Sequence, residues 1–214
     1  MSDAKPVVHV VDDDASFLVA VARLLTAAGY TVRTFASAAE FLAKLDDAAG
    51  CVIADLRMPE MDGLDLQQAL MRGANPLPVV FLTGKGDIPT TVQAMRNGAE
   101  DFLTKRAPKE DLFAAVDRAI ARDSRQRAER AHVRELRARF DALTPRELDV
   151  LRRVVEGWLN KQIAADLGIA ERTVKLHRTA ITTKLEVHSV AKLTQLVQEA
   201  GLFEEQAPAF PKGE

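Results

Sequence analysis

Over its first 120 residues the chain switches five times between a short apolar run and a segment of helical period. Residues 7–11 are almost continuously apolar and end in Asp12-Asp13-Asp14. Residues 17–28 repeat apolar side chains at helical spacing up to Gly29, a natural C-cap. Residues 31–35 are β-branched and alternating, and Ser37 is placed to cap a helix through Leu45. Residues 51–54 form the next apolar run, followed by Asp55, the turn-like 58–63 and a helix to about Arg72. Residues 78–82 read as a strand, 83–87 as a loop, and 89–97 as a helix stopped by Gly98. A short strand at 101–104 precedes a last helix from near Pro108.

Strands in strict alternation with helices imply a parallel sheet covered on both faces. Right-handed crossovers and this length suit a flavodoxin-like (βα)5 fold. Functional groups in such folds gather at the carboxyl ends of the strands. Here the first strand ends in three aspartates, the third at Asp55, the fourth at Thr83 and the fifth beside Lys105. Clustered carboxylates repel one another unless a cation joins them. Hard oxygen donors without His or Cys favour Mg2+. A metal site, a carboxylate nucleophile, a hydroxyl and an ammonium together suit capture of a phosphoryl group on a carboxylate. Helix capping accounts for Asp14 alone, but not for four such elements at successive strand ends.

The second half differs in character. The whole chain carries a formal charge of -2, which argues against a dedicated nucleic-acid binder. That figure joins an excess of -5 over residues 1–120 to one of +3 over 121–214, two modules suited to different partners. Residues 121–140 hold seven arginines and no Gly or Pro, so this stretch can prolong the fifth helix as a charged, solvated linker. Four short helices follow. Thr144-Pro145-Arg146-Glu147 is a capping box opening the first, which runs to Glu156. The others span 160–167, 171–185 and 189–200, and the tail 204–214 is expected to be disordered. Within 171–185, Val174, Ile181 and Leu185 share an inward face. Lys175, Thr179 and Thr182 share another, flanked by Leu176 and Arg178, as a DNA recognition helix requires. His177 has no second ligand at metal-binding spacing, and Trp158 suits packing better than base stacking.

The single Cys51, inside an apolar run, excludes an internal disulfide and a Cys-based zinc site. No basic n-region precedes an apolar stretch, and no window holds eighteen apolar residues. A cytoplasmic protein with no membrane partner is expected.

Residues 7–120 resemble the receiver domain of two-component response regulators. The likeness is carried by 10–14, by Asp55-Leu56-Arg57-Met58-Pro59-Glu60-Met61-Asp62-Gly63, by 82–87 and by 98–105. It implies a phosphoacceptor at Asp55 and a sensor histidine kinase as donor. It implies Mg2+ bound by Asp13, Asp55 and the Arg57 carbonyl, with Asp12 near through water. Thr83 and Lys105 would contact the phosphoryl group, and Phe102 would be the aromatic switch that turns inward with Thr83. Relatives usually have Pro after the lysine, often through a cis bond; here Arg106-Ala107-Pro108 follows Lys105, and a trans bond is expected.

Residues 143–202 resemble the LuxR-type helix-turn-helix, on the wording of 143–151, 157–164 and 173–178. With the receiver this is similar to the FixJ/NarL class of transcriptional regulators, the receiver loops looking closest to FixJ. The resemblance implies that Lys175, Leu176 and Thr179 face base edges of double-stranded DNA. Asn160, Lys161, Thr173 and Arg178 would contact phosphates or position the helix. It further implies a homodimer on phosphorylation, RNA polymerase as a partner, and no enzymatic activity beyond phosphoryl transfer to and hydrolysis from Asp55. The implied division is a receiver at 1–121, a linker at 122–142 and the DNA-binding domain at 143–203.

Other classes fit less well. A flavin binder needs a Ser/Thr/Gly loop where three aspartates stand. An aspartate-based phosphatase needs a second Asp at the position of Arg57. A phosphorylation-independent adaptor, using the receiver only as an interaction module, leaves the acidic pocket without a purpose. A head with only +2 over residues 144–200 is expected to bind DNA weakly alone, so affinity should depend on pairing two heads.

Overall fold

The computed structural model describes residues 5–73, 75–84 and 88–203. Residues 85–87 of the loop expected at 83–87, and the tail 204–214, lie outside the described residues. The chain forms two compact units that divide between Ala128 and Glu129.

The first unit runs β1 (Val7–Val11), α1 (Ala15–Ala27), β2 (Thr31–Phe35), α2 (Ala38–Lys44), β3 (Gly50–Asp55), α3 (Gly63–Met71), β4 (Val79–Thr83), α4 (Ile88–Arg96), β5 (Asp101–Thr104) and α5 (Lys109–Phe140). The strands pair in parallel in the order β2-β1-β3-β4-β5, the flavodoxin-like order. Every residue of β1, β3 and β4 is buried, which is why these strands read as unbroken apolar runs rather than alternating ones.

The period of two sorts each strand between two cores. Val8, Val10, Ile53, Val80 and Leu82 pack with Leu18 and Leu25 of α1 and Leu112 and Val116 of α5. Val11, Val52, Ala54, Val79 and Phe81 pack with Phe41 of α2 and Leu66 and Leu70 of α3. His9 lies in β1 among Phe35 and Phe41, with ring centroids 5.9 and 5.3 Å away. It is fully buried, and neither of its ring nitrogens has a hydrogen-bond partner. Helix starts are fixed locally: Asp14, Ser37 and Asp62 each accept from backbone N–H groups of the first turn of α1, α2 and α3.

The segment at 121–128 is less solvated than its charge suggests. Asp123 is buried, and its Oδ2 accepts from Gly50 N at the start of β3, 2.9 Å away. Arg127 donates through Nε to Asp123, through Nη1 to Asp47 and through Nη2 to the Ala48 carbonyl. One guanidinium thus fastens α5 to the loop entering β3.

The second unit takes the end of α5 and adds α6 (Pro145–Val155), α7 (Asn160–Leu167), α8 (Glu171–Lys184) and α9 (Val190–Glu199). Its core joins Leu136, Phe140 and Leu143 to Val150, Leu151, Val154, Ile163, Val174, Ile181, Leu185, Leu193 and Val197. α6 opens with the expected capping box. Buried Glu147 also accepts from Lys184 of α8, Nζ to Oε2 2.8 Å, which ties the two helices together. α7 ends at Gly168, whose φ of +64° is a left-handed conformation that favours glycine and turns the chain into α8. Arginines satisfy carbonyls at helix C-termini: Arg137 bonds the Ala200 carbonyl, Arg139 that of Leu185 and Arg146 that of Leu167. Among the described residues, no helix is long and apolar enough to cross a membrane.

Candidate functional site

The parallel sheet delivers its chemistry to one edge. The central strands β1, β3 and β4 end at Val11, Asp55 and Thr83, and the chain turns at once into a loop after each. Asp12 and Asp13 follow β1 directly. One oxygen from each of Asp12, Asp13 and Asp55 lies within 4.8 Å of the others. Asp12 and Asp55 are buried and Asp13 is exposed, so the cluster is closed below and open to water above.

Lys105 holds the pocket together. Its Nζ stands 2.6 Å from Asp12 Oδ2 and 2.9 Å from Asp55 Oδ2. Its backbone N–H donates to the Thr83 carbonyl at 2.8 Å, which ties the exit of β5 to that of β4. The expected trans peptide after it is present: among the described residues no peptide bond is cis. Burial raises the Asp12 pKa, and the Lys105 ammonium only partly offsets this. Burial also works against the charged lysine, but its bonds to Asp12 and Asp55 outweigh that and leave its pKa above the ordinary lysine value. The ammonium therefore stays protonated.

Local backbone features set the carboxylates. Asp14 N donates to Asp12 Oδ1 at 2.9 Å, and Arg57 N approaches Asp55 Oδ1 at 3.4 Å. Arg57 itself is exposed. Gly63 opens α3 against the Asp55 backbone: a Cβ there would lie 2.5 Å from the Asp55 carbonyl oxygen. Only glycine allows that approach, so the turn at 58–63 brings α3 under the phosphoacceptor candidate. Thr83 is buried at the end of β4. Phe102, on β5, is half-buried with its ring 6.1 Å from that of Phe81. Of the residues singled out for this pocket, Asp12, Asp13 and Asp55 cluster, and Lys105 bridges Asp12 and Asp55. Thr83 reaches Lys105 through its backbone carbonyl, and Phe102 packs beside Phe81 rather than on the carboxylates.

One pocket residue has no signature in the sequence. The Phe17 ring of α1 lies under Lys105, with Nζ 4.3 Å from its centroid. A phenylalanine at helical spacing reads simply as core.

In the second unit, Val174 and Ile181 are buried while Lys175, Leu176 and Thr179 are exposed, so α8 presents the expected polar face with one apolar residue on it. Lys175 pairs with Glu171 one turn earlier, 3.5 Å apart. The Thr179 hydroxyl donates to the Lys175 carbonyl. Arg178 leaves this face: its Nη1 donates to Asn160 Oδ1 at 3.0 Å, joining α8 to the start of α7. Lys161 is exposed and Thr173 half-buried, each in the first turn of its helix. The N-cap residues of α7 and α8, Leu159 and Ala170, offer no side-chain acceptor to the first turn, although Gln162 Oε1 accepts from Leu159 N at 2.8 Å; α6 and α9 are capped by Thr144 and Ser189. First-turn N–H groups without such a cap suit anions.

Comparisons with known proteins match both halves of the chain. Residues 8–117 match the family described as response regulator receiver domain. Residues 141–197 match bacterial regulatory proteins, luxR family. The response regulator protein TmoT of Ectopseudomonas mendocina is 41% identical, over 92% of this chain and 90% of that protein. The transcriptional regulatory protein FixJ of Bradyrhizobium diazoefficiens is 35% identical, over 92% and 96%. The solved structure of the response regulator StyR superposes with a TM-score of 0.74 at 43% identity, covering 92% of this chain and all of that one. The chain belongs to the two-component response regulators that join a receiver domain to a LuxR-type DNA-binding domain and regulate transcription.

Proposed function

We propose that this protein is switched by phosphorylation of Asp55 and that the phosphorylated form binds DNA as a dimer. The reading rests on one observation above others: an ammonium bridges two buried carboxylates beside a third, exposed one, at the end of a parallel sheet. A phosphohistidine of a sensor kinase is the donor. An Asp55 carboxylate oxygen forms the bond to phosphorus as the phosphorus–nitrogen bond breaks, and the imidazole leaves with the electron pair.

Asp12, Asp13, Asp55 and the Arg57 carbonyl, all hard oxygen donors, fit Mg2+. When bound, Mg2+ neutralises charge on the phosphoryl oxygens. Lys105 supplies a second positive charge there and the Thr83 hydroxyl a hydrogen bond. The movement of Thr83 toward the phosphoryl group frees space that Phe102 fills by turning inward. The change reaches the surface formed by α4, β5 and the start of α5, and two receivers pair. Two DNA-binding heads then meet paired half-sites. In each head Lys175, Leu176 and Thr179 face base edges, and Asn160, Lys161, Thr173 and Arg178 serve the phosphates or hold the helix. The protein acts in the cytoplasm, and RNA polymerase is the downstream partner.

The test is phosphorylation by phosphoramidate with Mg2+, read by intact mass. The wild type is expected to gain one phosphoryl group and Asp55→Asn none. Equal labelling of both would remove Asp55 as the acceptor. Sizing the same samples checks the dimer: an unchanged mass on phosphorylation would remove that step.

A further inference from the structure

We propose that Phe17 is a positioning residue for phosphoryl transfer: its ring face holds the Lys105 ammonium within reach of Asp55 without occupying any of its N–H groups. The proposal rests on the reading of Asp55 as phosphoacceptor and adds to it a residue from α1.

Three placements carry it. The ammonium lies 4.3 Å from the centroid of the Phe17 ring, within the range of a cation–π contact. The same ammonium touches Asp12 Oδ2 and Asp55 Oδ2, so the ring sits behind the atom that must meet the incoming phosphoryl group. Phe17 is itself fixed by the pocket's own backbone. Asp14 Oδ1 accepts from Ser16 N and Phe17 N at 2.9 and 3.1 Å, while Asp14 N donates to Asp12 Oδ1. One residue thus sets both a pocket carboxylate and the ring.

The physical need follows from the chemistry. A lysine has three N–H donors on a flexible four-carbon stem. Before transfer, two carboxylates attract it. When Asp55 becomes an acyl phosphate, the bonded oxygen loses its charge and the ammonium must shift to a phosphoryl oxygen. A π face attracts the cation without a fixed direction, so it restrains the stem in both states and leaves every N–H free to exchange partners. Further hydrogen-bond acceptors would instead compete with the phosphoryl group.

The experiment uses the full chain with phosphoramidate and Mg2+. Position 17 carries Phe, then mono-, di- and trifluorinated phenylalanine, which weaken the ring face at nearly constant volume, and separately Phe17→Leu and Phe17→Trp. Phosphoryl uptake on Asp55 is followed by intact mass, and the Lys105 ε-methylene proton shifts are read by NMR before donor is added. The expected result is a stepwise fall in uptake rate along the fluorinated series at unchanged melting temperature. Phe17→Leu should be about three- to tenfold slow and Phe17→Trp close to wild type. The ε-methylene protons should lose their upfield ring-current shift in the leucine variant. Wild-type rates throughout the series, or no ring-current shift in the unmodified protein, would overturn the proposal. No uptake by the unmodified protein would overturn the phosphoacceptor reading itself, and the proposal with it.

Discussion

At the scale of single residues, the least expected side chain is His9. It sits in β1 with its ring nitrogens unpaired, and burial, with a smaller contribution from Arg33, lowers its pKa to about 4. An unfolded chain binds this proton at pH below about 6.5, whereas the folded one does so only near 4. Stability is therefore complete above about 6.5 and falls as pH drops toward 4, by about 3 kcal/mol for a shift of this size. Denaturant melts of wild type and His9→Leu between pH 7 and 5 should show the loss only in the wild type. Parallel curves would show that another group titrates. Gly63 is the second sensitive position. A methyl group there meets the Asp55 carbonyl oxygen at 2.5 Å, backbone that cannot rotate away. Gly63→Ala should cost about 1–3 kcal/mol in chemical denaturation and slow phosphoryl uptake as well. Wild-type values for both would show that α3 has room to move.

At the scale of elements, the sequence was most legible where local chemistry and packing agree. Apolar runs bounded by Gly, Pro and Asp marked β1, β3 and β4, because both sheet faces are buried. Side-chain caps at Asp14, Ser37 and Thr144 stood at the helix starts they serve. Asp12, Asp13, Asp55 and Lys105 were readable as a site because parallel strands place successive carboxyl ends together. What the sequence hid are contacts across long separations with no periodic trace. Phe17 under Lys105 is one, since a ring at a core-like position has no mark of its neighbour. The charged stretch after residue 121 hides another: charge suggested solvent, yet Asp123 is buried and paired to Arg127 and Gly50. Removing Arg127 takes the guanidinium from a buried carboxylate. Arg127→Ala should cost about 3 kcal/mol of receiver stability, measured by denaturant melts. A loss under 1 kcal/mol would mean that water replaces the guanidinium. On α8, Lys175→Ala should weaken specific DNA binding by about 1–3 kcal/mol and relax preference at one base position. An affinity unchanged across operator variants would remove Lys175 from base readout.

At the scale of the whole molecule, the formal charge of -2 is the sum of two opposed functions. The acidic excess lies in the half that carries the Asp12, Asp13 and Asp55 cluster, and the basic excess in the half that carries the LuxR-type domain. Under the proposed reading, a head of small positive excess would gain affinity by pairing with another through dimerisation. On the proposed reading, phosphorylation of Asp55 gates sequence-specific DNA binding. Selection from random duplex DNA tests it most directly, run with wild type and Asp55→Asn, each with and without phosphoramidate. Paired half-sites, about one helical turn or a multiple apart, should be enriched by phosphorylated wild type alone. The same sequences enriched as strongly without the donor, or by Asp55→Asn, would contradict it.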